Sequence, residues 1–287
     1  MFAITGATGR LGRLTIDALL ERTTPDQIVA LARDPDRADD LAARGVAVRR
    51  FDYDEPADLA DALSGVDRLL LISSDDLARR IEQHRAVIDA AVAAEVGFIA
   101  YTSVLRADRN PLGVAPSHQA TEAMLAESVL PHAALRNGWY IENYLIGVDA
   151  AMAHGVLLGS TGDGRISGAA RADYAEAAAT VLVAGPEAAG VHELAGDTAF
   201  TLSDVAAALS EASGNPVIYR DLPEADYARA LEAGGMPAPV AAMLAGFSAG
   251  AAGGILEDSS GALGRLLGRP TVSLRDVVRN ALAKDRF

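Results

Sequence analysis

Phe2-Ala3-Ile4-Thr5-Gly6-Ala7-Thr8-Gly9-Arg10-Leu11-Gly12 is the stretch on which the fold turns. Its first four residues have the apolar, β-branched character of a buried strand, and Leu14, Ala18 and Leu19 follow at the spacing of a helix packed on a sheet. Three glycines stand between them as GxxGxxG. A turn joining strand to helix needs residues without Cβ where the backbone must approach a pyrophosphate, and the helix N-terminus then supplies amide N–H groups and a partial positive charge. Gly6, Gly9 and Gly12 occupy those positions. The spacing departs from the GxGxxG fingerprint, so a plain strand-to-helix turn remains an alternative. What gives the motif weight is its place, after the first strand and ahead of a second at the distance a βαβ unit requires. No Lys follows the last glycine, which excludes a Walker A loop.

The second strand ends in Ala30-Leu31-Ala32-Arg33, where an NAD-preferring site usually offers an acid to the ribose hydroxyls. A guanidinium there pairs with a 2′-phosphate instead, which favours NADPH over NADH. Asp34 is the competing candidate for that acid, but Asp34-Pro35 also reads as an N-cap with proline at the first helical position.

Outward from this unit, short apolar runs alternate with helical patterns, the mark of an α/β fold with a doubly wound, Rossmann-type parallel sheet. The expected strands are 2–5, 28–31, 47–50, 68–72, 97–101 and 133–136, with 191–194 rejoining the sheet. Residues 77–96 are expected to form a crossover helix through Leu77, Ile81, Val87, Ile88 and Val92, and 54–65 and 173–183 two more. After residue 150 the alternation loosens into Gly-rich turns, and from Thr198 the pattern is mostly helical with one strand at 217–220. The expected division is a nucleotide-binding domain over 1–195 and a smaller, mostly helical C-terminal domain on the substrate side over 196–287.

Composition narrows the functional classes. A formal net charge of −14 argues against nucleic acid or an anionic membrane as the main partner. The absence of cysteine removes disulfides, thiolate nucleophiles and Cys-ligated metals and suits a cytoplasmic location. The N-terminus reads straight into the first strand, and no signal peptide is expected. Residues 233–256 carry no charge over a membrane-spanning length, but Pro237, Pro239 and the glycines at 246, 250, 253 and 254 argue for a short Ala-rich helix running into a flexible loop. The histidines show no ligand spacing, and no metal site is expected.

The segments ITGATGRLG at 4–12, LLLISS at 69–74, FIAYTS at 98–103, LRNGWYIENY at 135–144, ARADYA at 170–175 and HELAGD at 192–197 resemble the NmrA-like group of atypical short-chain dehydrogenases, and within it the bacterial NAD(P)H:quinone oxidoreductases. The resemblance covers the whole chain, with LRNGWYIENY its most specific piece. It implies that Gly6, Ala7, Thr8, Gly9, Arg10 and Leu11 surround the pyrophosphate, Arg33 the 2′-phosphate, and Ser73 and Ser74 the ribose and pyrophosphate. Asn137, Gly138, Trp139 and Tyr140 would border the nicotinamide.

Ordinary members of the superfamily protonate a ketone with a Tyr-x-x-x-Lys pair and a serine. Here the helix carrying Glu122 puts Val114 at the tyrosine position and His118 at the lysine position, and Ser103 alone remains. Ketone reduction thereby loses its general acid. A quinone changes the requirement, because its reduction leaves a phenolate-type oxygen with a conjugate-acid pKa of about 10, which can take its proton from water. The leading expectation is direct two-electron hydride transfer from NADPH to a small-molecule quinone, with no catalytic proton donor assigned and no flavin. Tyr101, Ser103, His118, Trp139 and Tyr140 are the candidate substrate pocket. Trp139 and Tyr140 read equally as buried aromatics, Tyr101 as packing beneath the cofactor, and His118 as an idle residue on a helix surface. The alternative from a different class is a non-catalytic NADP(H) sensor acting through a protein partner.

Overall fold

A computed structural model describes residues 1–283. Its strands are β1 (Phe2–Ile4), β2 (Ile28–Ala32), β3 (Ala47–Arg50), β4 (Arg68–Leu71), β5 (Phe98–Val104), β6 (His132–Asn137), β7 (Val156–Gly159), β8 (Gly190–Leu194) and β9 (Ile218–Asp221). The helices are α1 (Arg10–Leu20), α2 (Asp39–Ala42), α3 (Leu59–Ala62), α4 (Arg80–Ala93), α5 (Ala115–Glu127), α6 (Val148–His154), α7 (Arg171–Ala184), α8 (Leu202–Ser213), α9 (Glu224–Ala233), α10 (Ala238–Ala252), α11 (Ala262–Leu267) and α12 (Leu274–Ala283).

Seven strands form one parallel sheet in the order β3-β2-β1-β4-β5-β6-β8. The chain winds outward from β1 through β2 and β3, then returns to lay β4 on the other side of β1. Ile4 thus sits in register with Ala30 on one side and Leu70 on the other. The carboxyl ends of β1 and β4 therefore flank the point where the winding reverses, the place where doubly wound sheets bind ligands.

Helices cover both sheet faces, which is why the central strands are apolar throughout rather than alternating. Leu69, Leu71, Ile99 and Tyr101 share a face and pack with Val87, Ile88 and Ala91 of α4 and Met124 and Leu125 of α5. The intervening Leu70 and Ala100, also fully buried, turn to the opposite face. There α7 packs on β4, β5 and β6 and lies against α1.

Helix α4 departs from the expected pattern. It begins at Arg80 and leaves Leu77, Ile81 and Val92 outside at 44%, 46% and 39% exposure. Its inward face is instead Arg80, Gln83, His84, Val87, Ile88 and Ala91, a regular helical stripe whose first turn is polar. The 54–65 segment is also less helical than expected, with a single 3-10 turn at Pro56–Asp58 leading into the four-residue α3.

The chain forms two compact units. The first comprises 1–108, 114–137 and 171–194, the whole seven-stranded sheet with its helices; the second takes 109–113, 138–170 and the chain from 195 onward. The sequence division at 195 coincides with the last crossing, but 138–170, assigned there to the first domain, packs with the second unit. That unit contains α6, α8 to α12 and a two-stranded parallel sheet of β7 and β9. Strand β7 falls where only glycine-rich turns were expected.

Residues 233–256 also differ from expectation, because α10 runs unbroken through Gly246 and Gly250. A Cβ at Gly250 would lie 2.7 Å from Ile255 and 2.9 Å from Leu112, so glycine is present there for close packing rather than flexibility. Among the described residues no helix is long and apolar enough to cross a membrane.

Leu69 has no exposed surface at the centre of the sheet, within the α4/α5 core. Leu69→Ala is expected to lower the unfolding free energy by about 2–5 kcal/mol, read as a shifted urea midpoint at unchanged m-value.

Candidate functional site

The glycine turn forms as the sequence implies. Gly6 has a φ of +57°, a left-handed conformation that favours glycine, and Gly9 is the extended N-cap of α1 with no side-chain capping bond. The helix begins directly beneath the turn, since a Cβ on Gly12 would stand 2.4 Å from the Gly6 carbonyl oxygen and 2.8 Å from the Ala7 Cα. The first-turn N–H groups of α1 have no intrahelical acceptor, and no acidic side chain stands in that turn. Gly6, Gly9 and Arg10 are exposed, Thr8 is half-buried, and Ala7 is buried, with its N–H donating to the Leu31 carbonyl at 3.3 Å. An uncapped helix N-terminus beside bare backbone is a cradle for a doubly charged pyrophosphate.

Arg33 directly follows β2 and is exposed. Neither it nor Arg10 meets an acid among the described residues, so both guanidiniums are available to an anion. Asp34 stands at the N-cap of a 3-10 turn, Pro35–Ala38, but its side chain makes no capping bond. The neighbouring Arg13 is committed, ion-paired with Asp40 and donating to the Arg37 carbonyl at 2.7 Å, which ties α1 to the segment after β2.

The loop after β4 is fastened group by group. The Ile72 N–H donates to Thr5 Oγ1 at 2.9 Å and the Ser73 N–H to Thr102 Oγ1 at 2.8 Å. Ser74 is gripped by the polar first turn of α4. Its N–H donates to His84 Nε2 at 3.0 Å, its hydroxyl donates to Gln83 Oε1, and its carbonyl accepts from Arg80 Nε at 2.7 Å. Ser74 thus bonds to protein through its N–H, its hydroxyl and its carbonyl, and these bonds fasten the loop.

Behind the loop lies a buried polar network. Arg80 donates to His118 Nε2 at 3.3 Å, which leaves the His118 proton on Nδ1 to reach the Tyr101 hydroxyl at 2.7 Å. His84 accepts from Ser74 on Nε2 and donates from Nδ1 to Thr121 Oγ1 at 2.9 Å. Burial pushes both histidines down to about 3, with the Arg80 charge acting in the same direction. Burial also raises the Tyr101 hydroxyl far above the ordinary tyrosine value. His118 is therefore neither a helix-surface residue nor a wall of a substrate pocket, because it is buried with both ring nitrogens engaged. Tyr101 has no exposed surface, and Ser103, also buried, donates to Glu122 Oε1 at 2.5 Å. Three residues expected to face the substrate are turned to the protein interior.

Glu122 belongs to a second network centred on Arg136 of β6. Arg136 makes a fork of bonds to the Glu122 carboxylate, NH2 to Oε2 at 2.7 Å and Nε to Oε1 at 3.0 Å, and reaches Asp108 at 2.6 Å and Glu193 at 2.8 Å. The hydrogen bonds to Glu122 raise the guanidinium well above its usual value.

The first unit thus gathers the glycine turn, Arg33, Ser73, Ser74, Tyr101, Ser103 and His118 at the carboxyl ends of β1, β2, β4 and β5 or directly behind them. Asn137 closes β6. Gly138, Trp139 and Tyr140 belong to the second unit. There the Trp139 ring meets Phe247 edge-on at 5.3 Å and lies 6.4 Å from Tyr144, and the Trp139 carbonyl accepts from the Ala169 N–H at 3.1 Å. Sequence reasoning missed Arg80, Gln83, His84, Thr102, Thr121 and Glu122. A signal existed for the α4 residues, since 80, 83 and 84 continue the stripe of 87, 88 and 91 with polar side chains where a core helix should be apolar. Among the described residues, no group of three or more His, Asp or Glu is placed to hold a metal ion.

Residues 6–185 match the NAD(P)H-binding family, and the chain belongs to that family. Over 97% of both chains it is 51% identical to quinone oxidoreductase 2 of Escherichia coli. The crystal structure of the NADPH-dependent quinone oxidoreductase from Escherichia coli in complex with NADPH matches 98% of this chain and 100% of that one with a TM-score of 0.93 and 50% identity. A triphenylmethane reductase of Citrobacter complexed with NADP(H) matches 98% of this chain and 100% of its own with a TM-score of 0.94 at 33% identity. An NmrA-like family domain-containing oxidoreductase of Aspergillus flavus is 29% identical over 99% of this chain and 96% of its own.

The buried histidines give the fold a defined acid response. Both titrate near 3 when folded and near 6.5 in an unfolded chain, so between those values the unfolded state binds protons that the folded state refuses. Their contribution is complete above pH 6.5 and is lost as the pH falls through that window, at up to about 1.4 kcal/mol per pH unit for each ring. Urea unfolding from pH 7.5 to 5 should show stability falling with acid. H84Q and H118Q should each flatten that slope.

Proposed function

We propose that the protein is an NADPH-dependent quinone oxidoreductase working by direct two-electron transfer, acting in the cytoplasm on small quinones. The observation that carries this reading is that every side chain near the expected proton-donor position is withdrawn from service. Val114 cannot donate a proton, His118 is neutral and doubly bonded, the Tyr101 hydroxyl is buried, and Ser103 is held by Glu122. Such a site suits an acceptor that needs no proton from the protein in the transition state. A quinone meets that condition, because its reduced oxygen is a weak base that water protonates.

The bound cofactor supplies hydride donation to the quinone. The chain's own residues bind and orient. Gly6 to Leu11 hold the pyrophosphate on the α1 N-terminus with Arg10 beside it. Arg33 pairs with the 2′-phosphate, and the Thr5, Thr102 and His84 bonds hold Ser73 and its loop at the carboxyl edge of β4. The identity with oxidoreductases across the whole chain supports an enzyme over a cofactor sensor.

Steady-state oxidation of NADPH by simple benzoquinones tests the proposal, and a rate no higher than the uncatalysed background with every quinone would refute it. Arg33→Ala is expected to raise the KM for NADPH about tenfold or more while leaving that for NADH within about twofold, the loss of one charge-assisted contact. Equal changes for the two cofactors would show that Arg33 does not read the 2′-phosphate.

A further inference from the structure

Tyr144 closes the segment LRNGWYIENY and has no part in the site described above. It lies in the second unit, on the 3-10 turn Ile141–Leu145. Its ring meets Phe200 edge-on at 6.1 Å and lies 6.4 Å from Trp139, and Phe247 in turn meets Trp139 edge-on at 5.3 Å. Phe200 and Phe247 are buried, whereas Trp139 and Tyr144 are half-buried. Two rings are therefore a fixed backing, and two keep surface to offer. The backing is tightly set, since a Cβ on Gly168 would stand 3.0 Å from the Phe200 ring and 3.1 Å from the Trp139 carbonyl oxygen. Trp139 follows the end of β6 by two residues, at most about 7 Å of chain beyond the carboxyl edge of the sheet.

A cluster of this kind has no need of a phenol at Tyr144, because phenylalanine would fill the same place without a polar group to satisfy. The Tyr144 hydroxyl makes no hydrogen bond among the described residues, and it is not sealed from contact. Tyr219 of β9 shows the contrast: its hydroxyl donates to Asp221 Oδ1 at 2.6 Å and accepts from the Thr161 N–H at 3.0 Å. Burial holds the Tyr144 hydroxyl far above the ordinary tyrosine value, and Tyr227 of α9 and Tyr219 act in the same direction. Tyr144 therefore keeps its proton through the neutral range, as a donor with nothing in the protein to donate to.

We infer that the surface of Trp139 and Tyr144 receives the flat ring of the quinone and that Tyr144 Oη donates a hydrogen bond to one quinone oxygen, an inference that rests on the quinone-reductase reading above. A quinone ring is electron-poor and the indole and phenol faces are electron-rich, so the two attract. Reduction adds two electrons and one hydrogen as hydride and leaves a hydroquinone monoanion whose conjugate acid has a pKa of about 10. Tyr144 holds its proton more tightly than that. Its hydroxyl stabilises the anion by a charge-assisted hydrogen bond without giving the proton up. Water supplies the second proton afterwards, and Tyr144 ends unchanged.

Trp139 is the one tryptophan of the chain and serves as the reporter. Tetramethyl-1,4-benzoquinone is titrated into wild type saturated with NADP⁺, which has no hydride to give, and tryptophan emission is followed. Quenching should saturate, as binding against the indole requires; a linear, collisional quench overturns the inference and needs no variant to fold. In steady state, Tyr144→Phe should lower kcat with this quinone about tenfold, the loss of one hydrogen bond to an anion, while weakening saturable quenching only about threefold. The KM for NADPH and the melting temperature should stay as in wild type. A kcat within twofold of wild type overturns the inference. So does a loss of kcat matched by equal losses in NADPH affinity and by a lowered melting temperature, the mark of a tyrosine that only packs. If wild type reduces no quinone at all, the quinone-reductase reading fails and takes this inference with it.

Discussion

The approach of Gly12 to the Gly6 carbonyl is the constraint from which the site follows. Only hydrogen fits between that carbonyl and the Gly12 Cα, and any larger group would push α1 away from the end of β1. With the contact made, the helix N-terminus opens at the reversal of the winding, its N–H groups uncapped and unopposed by acid. The neighbouring positions are set from the same point. Thr5, one residue earlier, accepts from the loop after β4, and Ala7, one residue later, bonds to the end of β2. A single close contact thus aligns three strand ends.

The loop after β4 is held by a different physical device. A helix buried against a sheet would gain most from apolar side chains, yet α4 places Arg80, Gln83 and His84 where it first enters the core. Each is satisfied, and each uses a different group of Ser74, so that the loop's backbone is specified in position and in direction. His118 completes this arrangement from α5 by accepting from Arg80, which keeps a guanidinium that forms no ion pair among the described residues fixed in the interior. Loss of the usual proton-donating pair and gain of this buried network involve the same stretch of α5. A histidine at the lysine position serves as an acceptor for a neighbouring helix rather than as a cation for a substrate.

Much of the architecture was legible because period and position carry it. The seven strands of the main sheet lie within a few residues of the apolar runs that announce them, and the glycine turn and Arg33 stand where the strand ends put them. What escaped was decided by partners distant in sequence. Strand β7 is four residues between glycines and pairs with β9 some sixty residues later, so nothing local distinguishes it from a turn. Helix α10 overrides its glycines because Leu112 and Ile255 pack against Gly250. Tyr101, Ser103 and His118 were legible as residues near strand ends but not in the direction they face. His118 depends on Arg80, which lies 38 positions away. Side-chain direction at a strand end is a tertiary fact, and polar types there read as functional whether they point outward or in.

The interleaving of the two units along the chain bears on how the molecule is made. The second unit draws residues 109–113 and 138–170 from within the first, and the edge strand β8, at 190–194, emerges from the ribosome only after those segments. The parallel sheet therefore remains one strand short while foreign chain emerges, and β6 presents an open flank until β8 arrives. No single cut yields two self-sufficient fragments. The elongation rate sets how long that flank stays uncovered.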